Sequence, residues 1–179
     1  MKKVLIISTN LRHNANSEIL AHETERGAKD AGHEVEFITL KDKDIKFWKG
    51  CLACQKLGKC VINDDANEIT EKIKKSDVIV WATPVYYYEM SGQMKTMIDR
   101  ANSLFSSDYK FREVYLITTS ADGAKGVAQT VINGINSWLA CFNGVEFCGF
   151  VDGGGVESSN DAASRKDLLE QAYNLGRNI

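Results

Sequence analysis

Ten residues near the start of the chain gather hydroxyl, amide and cationic side chains into one polar stretch: Ser8-Thr9-Asn10-Leu11-Arg12-His13-Asn14-Ala15-Asn16-Ser17. An apolar run precedes it and a helical pattern follows, so it joins a strand end to a helix start. A helix N-terminus offers unpaired N–H groups and the positive end of the helix dipole, which together attract an anion. Hydroxyls at Ser8 and Ser17 and amides at Asn14 and Asn16 can donate to phosphate oxygens. Arg12 can add a bidentate, charge-assisted contact. The stretch has neither Gly-x-Gly-x-x-Gly nor Gly-Lys-Ser/Thr. A hydroxyl-lined loop of this kind suits a monophosphate better than a pyrophosphate. The same Asn and Ser residues also suit a helix cap and a turn. His13 reads as an exposed loop residue, His22 and His33 as surface, and these scattered positions have no metal-ligand spacing.

A second stretch is Thr83-Pro84-Val85-Tyr86-Tyr87-Tyr88-Glu89-Met90-Ser91-Gly92, after a fully apolar run. A flat heteroaromatic ring could lie on Val85 and Tyr86 while its edge meets loop backbone. Three consecutive exposed tyrosines are costly without a ligand or partner to cover them. Packing of one or two into the core or a subunit interface is the alternative. Lys95, Asp99 and Arg100 suit structural ion pairs. A third stretch, Thr119-Ser120-Ala121-Asp122-Gly123-Ala124-Lys125-Gly126, is rich in small residues.

Three of the five cysteines cluster as Cys51-x-x-Cys54-x5-Cys60. A cubane cluster wants four thiolates, and the spacing asks for a fourth near position 57, which is Leu57. A zinc site also needs a fourth ligand, and a C-x-x-C redox pair is a further reading. The preferred one is a metal-free loop packed over a ligand or an interface. Cys141 and Cys148 lie in apolar surroundings and read as inert core residues.

These stretches are positioned by alternating strands and helices. Val4–Ile7 is a continuous apolar run, as in a strand buried on both faces. A helical pattern covers about Ser17 to Ala31, with Asn16 or Ser17 as its cap and Gly32 at its end. Glu34–Leu40 reads as the second strand, and Lys41–Asn63 is irregular. A helix starts at Asp64 or Asp65 and runs to about Lys75. Asp77–Ala82 is a third strand, stopping at Thr83-Pro84. Helices follow from Gly92 to about Ser103, Val127 to about Phe142 and Asp161 to about Gly176, with strands at Glu113–Thr119 and Gly144–Val151. Five apolar strands, each followed by a helix, imply a parallel sheet covered on both faces. Ligands then bind beyond the carboxyl ends of the strands, where strand order reverses.

The 179 residues suit one domain spanning 1–179. A net charge of −2 gives no surplus that points to nucleic acid or an anionic membrane. No apolar run approaches the ~18 residues that span a bilayer. The first apolar run is too short for a signal peptide, so cytoplasmic location with reduced cysteines is the expectation.

With these motifs assembled, the chain resembles the flavodoxin-like NAD(P)H-dependent FMN reductase and quinone reductase family. The resemblance rests on Ser8–Ser17, Gly50-Cys51-x-x-Cys54 to Cys60 with Asp64-Asp65, and Thr83-Pro84-Val85-Tyr86 with Gln93-Met94-Lys95 and Asp99-Arg100, in the family's order. The chain also resembles the iron–sulfur flavoproteins, with an incomplete cysteine motif. The resemblance implies an α/β, flavodoxin-like three-layer sandwich with a five-stranded parallel sheet and a non-covalent FMN. By position, Ser8, Arg12, Asn14, Asn16 and Ser17 would hold the ribityl phosphate. Pro84, Val85, Tyr86 and Tyr87 would contact the isoalloxazine. Thr119, Ser120 and Ala121, with Gly123, would flank the ring's other edge. It further implies an oxidoreductase that passes hydride from NADPH or NADH through FMN to a quinone, flavin or similar small acceptor, with no catalytic side-chain acid or base. A homodimer or homotetramer is implied too. The alternative is a flavodoxin-type electron carrier between proteins; such carriers tend to be strongly acidic.

Overall fold

The computed structural model describes residues 1–179. In chain order its elements are β1 (Lys3–Ser8), α1 (Asn16–Asp30), β2 (Glu34–Thr39), α2 (Cys54–Leu57), α3 (Asp65–Lys75), β3 (Val78–Tyr86), β4 (Glu89–Met90), α4 (Gly92–Arg100), β5 (Glu113–Ser120), α5 (Gln129–Leu139), β6 (Glu146–Gly154) and α6 (Lys166–Arg177). Short 3-10 helices occupy Ala101–Ser106 and Asp161–Ser164.

The five long strands are parallel, in the order β2-β1-β3-β5-β6. This is the flavodoxin-like order, whose reversal point lies between β1 and β3. A sixth, two-residue strand, β4, folds back antiparallel on the end of β3. It is the one addition to the five strands expected.

Side-chain alternation along β1 sends Leu5 and Ile7 to one face and Val4 and Ile6 to the other. The first pair packs with Trp81, Met94, Met97 and Ile135 under α3, α4 and α5. The second packs with Val80, Leu20, Ala28 and Ala172 under α1 and α6. Helices α1 and α6 approach closely through glycine. A Cβ at Gly27 would lie 2.1 Å from the Tyr173 carbonyl oxygen, and one at Gly176 would lie 2.1 Å from that of Thr24. The C-terminal half of α1 is therefore packed directly onto the backbone of α6.

Four expectations need correcting. Strand β3 does not stop at Thr83-Pro84; it continues to Tyr86, with Pro84 opposite Thr119 of β5. The Ala82 carbonyl accepts from Thr9 on the β1 side. Alternation turns the Pro84 nitrogen to that same side, where the β1 ladder has already ended. Its missing N–H breaks no ladder bond. Neither Asn16 nor Ser17 caps α1: the cap position is Ala15, with no side-chain bond. The helix after β3 leaves α geometry at Arg100 and tightens into the 3-10 segment. Cys141 and Cys148 are exposed. Cys148 lies on β6, an edge strand whose residues alternate outward, and Cys141 follows the solvent-facing end of α5. No helix is long and apolar enough to cross a membrane.

Candidate functional site

The loops after β1, β3 and β5 converge on a crevice of about 230 Å3 at the carboxyl ends of those strands. The first loop contributes Arg12 and Asn16, the second Pro84, Val85 and Tyr86, and the third Thr119, Ser120 and Ala121. Three stretches chosen from separate parts of the sequence thus meet in one place. Ser8, Asn14, Ser17, Tyr87 and Gly123 belong to or adjoin the same loops but do not line the crevice. Asn10, Ala15, Val156, Glu157 and Ser159 also line it and were not singled out from the sequence. The signal for the last three was the polar run after the fifth parallel strand, at the same edge of the sheet.

Helix α1 begins at this crevice with its amide end open. No side chain caps this end, and while the Glu18 and Ile19 N–H groups donate to the Ala15 carbonyl, those of Asn16 and Ser17 are left free for an anion. Beside them the Ser17 hydroxyl is fully buried and has no hydrogen-bond partner. A buried hydroxyl without a partner carries an uncompensated desolvation cost of roughly 1–3 kcal/mol. An anion at the helix start would relieve it. Ser8 donates from its hydroxyl to Glu18 at 3.1 Å. Arg12 donates to the Ser159 hydroxyl at 3.0 Å and to the Glu157 carbonyl at 3.4 Å. The Asn16 amide bridges the first loop to the segment after β6: it donates to the Ser158 carbonyl and accepts from the Ala162 N–H. Asn14 takes φ +50° and accepts from Asn160 N–H through its carbonyl.

Tyr87 and Tyr88 form the two-residue loop between Tyr86 and Glu89, which are paired across the hairpin. Both have positive φ, 51° and 63°. A right-twisted two-residue hairpin wants this geometry and normally uses Asn and Gly for it. Tyrosine pays a steric penalty there, and such strain concentrates at functional sites. None of the three tyrosines enters the core; Tyr87 is fully exposed. Tyr88 instead donates to Asp122 of the third loop at 3.2 Å. In that loop Ser120 donates to the Asp122 carbonyl at 2.7 Å. Gly123 lies against the segment after β6, where a Cβ would stand 3.6 Å from the Gly155 backbone.

The cysteine loop is anchored on α4 and the segment after it. Arg100 and Asp64 have fully buried side chains and pair through both guanidinium ends, at 2.5 and 2.8 Å. Arg100 also donates to the carbonyls of Lys46 and Ile62 and lies 3.6 Å from the Cys60 sulfur. Burial pushes the Asp64 carboxyl up, but the bonds from Arg100 and the Lys46 N–H outweigh it and hold it below its ordinary 3.8. The Cys54 sulfur is buried and accepts from Asn102 at 3.3 Å, while Cys51 is exposed. No group of three Cys, His, Asp or Glu side chains is placed to hold a metal ion. A four-thiolate cluster does not fit this donor set. A further ion pair, Lys95–Asp99 of α4 at 2.7 Å, is exposed.

Residues 2–143 match the family model described as NADPH-dependent FMN reductase. An iron–sulfur flavoprotein of Methanocaldococcus jannaschii is 31% identical over 186 aligned positions, covering 99% of this chain and 95% of the relative. An NAD(P)H:quinone oxidoreductase from Methanothermobacter marburgensis has a similar structure, with a TM-score of 0.80 at 17% identity over 99% of this chain and 95% of that one. An azoreductase from Bacillus anthracis gives a TM-score of 0.73 at 15% identity, with both chains covered completely.

Proposed function

This chain belongs to the NADPH-dependent FMN reductase family, and we propose that it binds FMN in the three-loop crevice and uses NAD(P)H to reduce a quinone, a flavin or a similar small acceptor. The observation that carries the reading is the buried, partnerless Ser17 hydroxyl beside the uncapped start of α1. An anionic ligand with several acceptor oxygens satisfies both features at once.

In this reading Ser8, Arg12, Asn14, Asn16 and Ser17 form the phosphate pocket, with the α1 amides as its floor. Arg12 supplies the charge. Asn16 acts largely by tying the first loop to the segment after β6, since its amide is already engaged there. Pro84, Val85, Tyr86 and Tyr87 flank the ring on one side. Thr119, Ser120, Ala121 and Gly123 flank it on the other. When bound, FMN supplies the two-electron redox chemistry between nicotinamide and acceptor. The chain supplies position, backbone N–H groups that favour negative charge at the ring edge, and exclusion of water. No acidic or basic side chain of the crevice has to move a proton for hydride transfer.

The span 1–179 works as one FMN-binding unit in a homodimer or homotetramer. Trp48, Leu52, Leu57 and Phe105 are exposed large apolar side chains, which favours self-association. Five unpaired cysteines suit a reducing compartment such as the cytoplasm. The test is steady-state kinetics of the FMN-loaded protein with NAD(P)H and a water-soluble quinone. Parallel double-reciprocal lines are expected, because one open crevice must serve both substrates in turn. Absence of turnover with quinone, free flavin and azo or nitro acceptors would overturn the reading.

A further inference from the structure

A second cavity of about 540 Å3 lies on the other side of the first loop. Its walls come from Leu11, Leu40 just after β2, the irregular segment Lys41–Phe47 and the start of α4. Leu11 sits between Asn10 and Arg12, which both line the flavin crevice. The two cavities therefore flank the same stretch of the first loop. We propose that this cavity binds the adenosine end of NADPH and that Lys41 and Lys43 recognise its 2′-phosphate. The proposal rests on the reductase reading above and adds the basis of nucleotide choice.

Three ammonium groups, from Lys41, Lys43 and Lys95, line the cavity, and no Asp or Glu does. Lys43 is only loosely paired, 3.6 Å from Asp65, and Lys95 is paired with Asp99 at 2.7 Å. The Lys41 ammonium meets no carboxylate; its one contact is the ring nitrogen Nδ1 of His13 at 2.6 Å. A cation left without a counter-charge at the mouth of an apolar cavity is matched to an incoming anion. The apolar side is equally open. Leu11 is half-exposed and the Phe47 ring is 79% exposed, a stacking surface for a flat base.

Chemistry and topology select the adenosine 2′-phosphate over other anions. An uncharged acceptor such as a quinone has no use for the lysines. The flavin phosphate has its own pocket at the start of α1. In dinucleotide-binding sheets, a different α/β order, an acid near the end of the second strand reads a free 2′-hydroxyl and a cation reads a 2′-phosphate; the same choice of charge applies to a ribose held here. Here Lys41 stands two residues beyond the end of β2, with Lys43 two further on. Gln93 and Thr96 of α4 complete the cavity with groups that can hydrogen-bond a base or ribose.

The experiment uses the FMN-loaded full chain and two probes, adenosine 2′,5′-bisphosphate and adenosine 5′-monophosphate, titrated calorimetrically. The bisphosphate should bind at least tenfold more tightly and compete with NADPH. A Lys41→Ala/Lys43→Ala double variant, altered only at side chains that touch solvent, should abolish that difference. It should also lower the ratio of kcat/KM for NADPH to that for NADH roughly tenfold, the worth of one lost charge-assisted contact. Equal binding of the two probes, or a preference that survives the double variant, overturns the proposal. Should neither nicotinamide cofactor be oxidised while the probes are still discriminated, the reductase reading fails and the adenosine site stands.

Discussion

The guanidinium of Arg100, on α4, closes on the carboxylate of Asp64, the cap of α3, through two parallel contacts in a site with no solvent access. This pair spans 36 residues of sequence and fastens the cysteine loop, because the same guanidinium holds the carbonyls of Lys46 and Ile62. Removing one partner leaves the other buried and charged. Asp64→Asn should cost about 3–5 kcal/mol, read as a shift in the urea midpoint. It should also make Cys60 react faster with a thiol reagent. The conservative Asp64→Glu should recover part of the loss.

The same pair sets a pH dependence. The Asp64 carboxyl is held below its ordinary value, so its contribution to stability is complete above that value and disappears as pH falls through the depressed one. Urea midpoints measured from about pH 6 down to about pH 2 should show the wild type and Asp64→Asn converging at the acid end.

Asp152 on β6 has the opposite sign. Burial pushes its carboxyl up, and a long 3.4 Å contact from the Thr118 hydroxyl offsets this only in part. The folded state then disfavours the ionised form, at a cost absent below the ordinary value and complete above the raised one. Asp152→Asn should stabilise the protein at neutral pH by less than about 2 kcal/mol and have little effect in acid, as thermal melts at the two pH values would show.

Ser17→Ala separates the apoprotein from the FMN complex. In the apoprotein the hydroxyl has no partner, so its removal should be neutral or stabilising by up to about 1 kcal/mol. In the complex the same change removes a phosphate contact and should weaken FMN roughly fivefold to tenfold. Calorimetric melting without FMN and fluorescence titration with it give the two numbers. A loss of stability in the apoprotein would mean that the hydroxyl is satisfied there.

The Tyr87-Tyr88 turn should trade stability for binding. Tyr87→Asn with Tyr88→Gly installs the residues such a turn prefers and relieves about 1–2 kcal/mol of backbone strain per position. The melting temperature of the apoprotein should rise by a few degrees. FMN affinity should fall by roughly 0.5–1.5 kcal/mol if an aromatic surface contacts the ring.

Much of this architecture was legible because it rests on local rules. Buried parallel strands read as unbroken apolar runs such as Val4–Ile7 and Val78–Val80, and the loops at their carboxyl ends follow directly. The meeting of Arg12, Val85 and Ser120 in one crevice then needs only the strand order. What escaped depends on contacts remote in sequence. Val156, Glu157 and Ser159 join the crevice because β6 lies beside β5, and Asn16 is engaged by that segment rather than left free as a cap. Pro84 continues its strand because β1 has ended beside it, a matter of relative strand length. Cys148 is exposed because its strand lies at the sheet edge, which apolar composition alone does not reveal.

The central claim is tested most directly by the absorption spectrum of the FMN-reconstituted protein, recorded under anaerobic conditions before and after one equivalent of NADPH and again after a quinone. The account predicts that NADPH bleaches the flavin bands with no other protein present and that the quinone restores them. A bound flavin that NADPH leaves untouched, but that a separate reductase protein bleaches, would contradict it and identify an electron carrier instead.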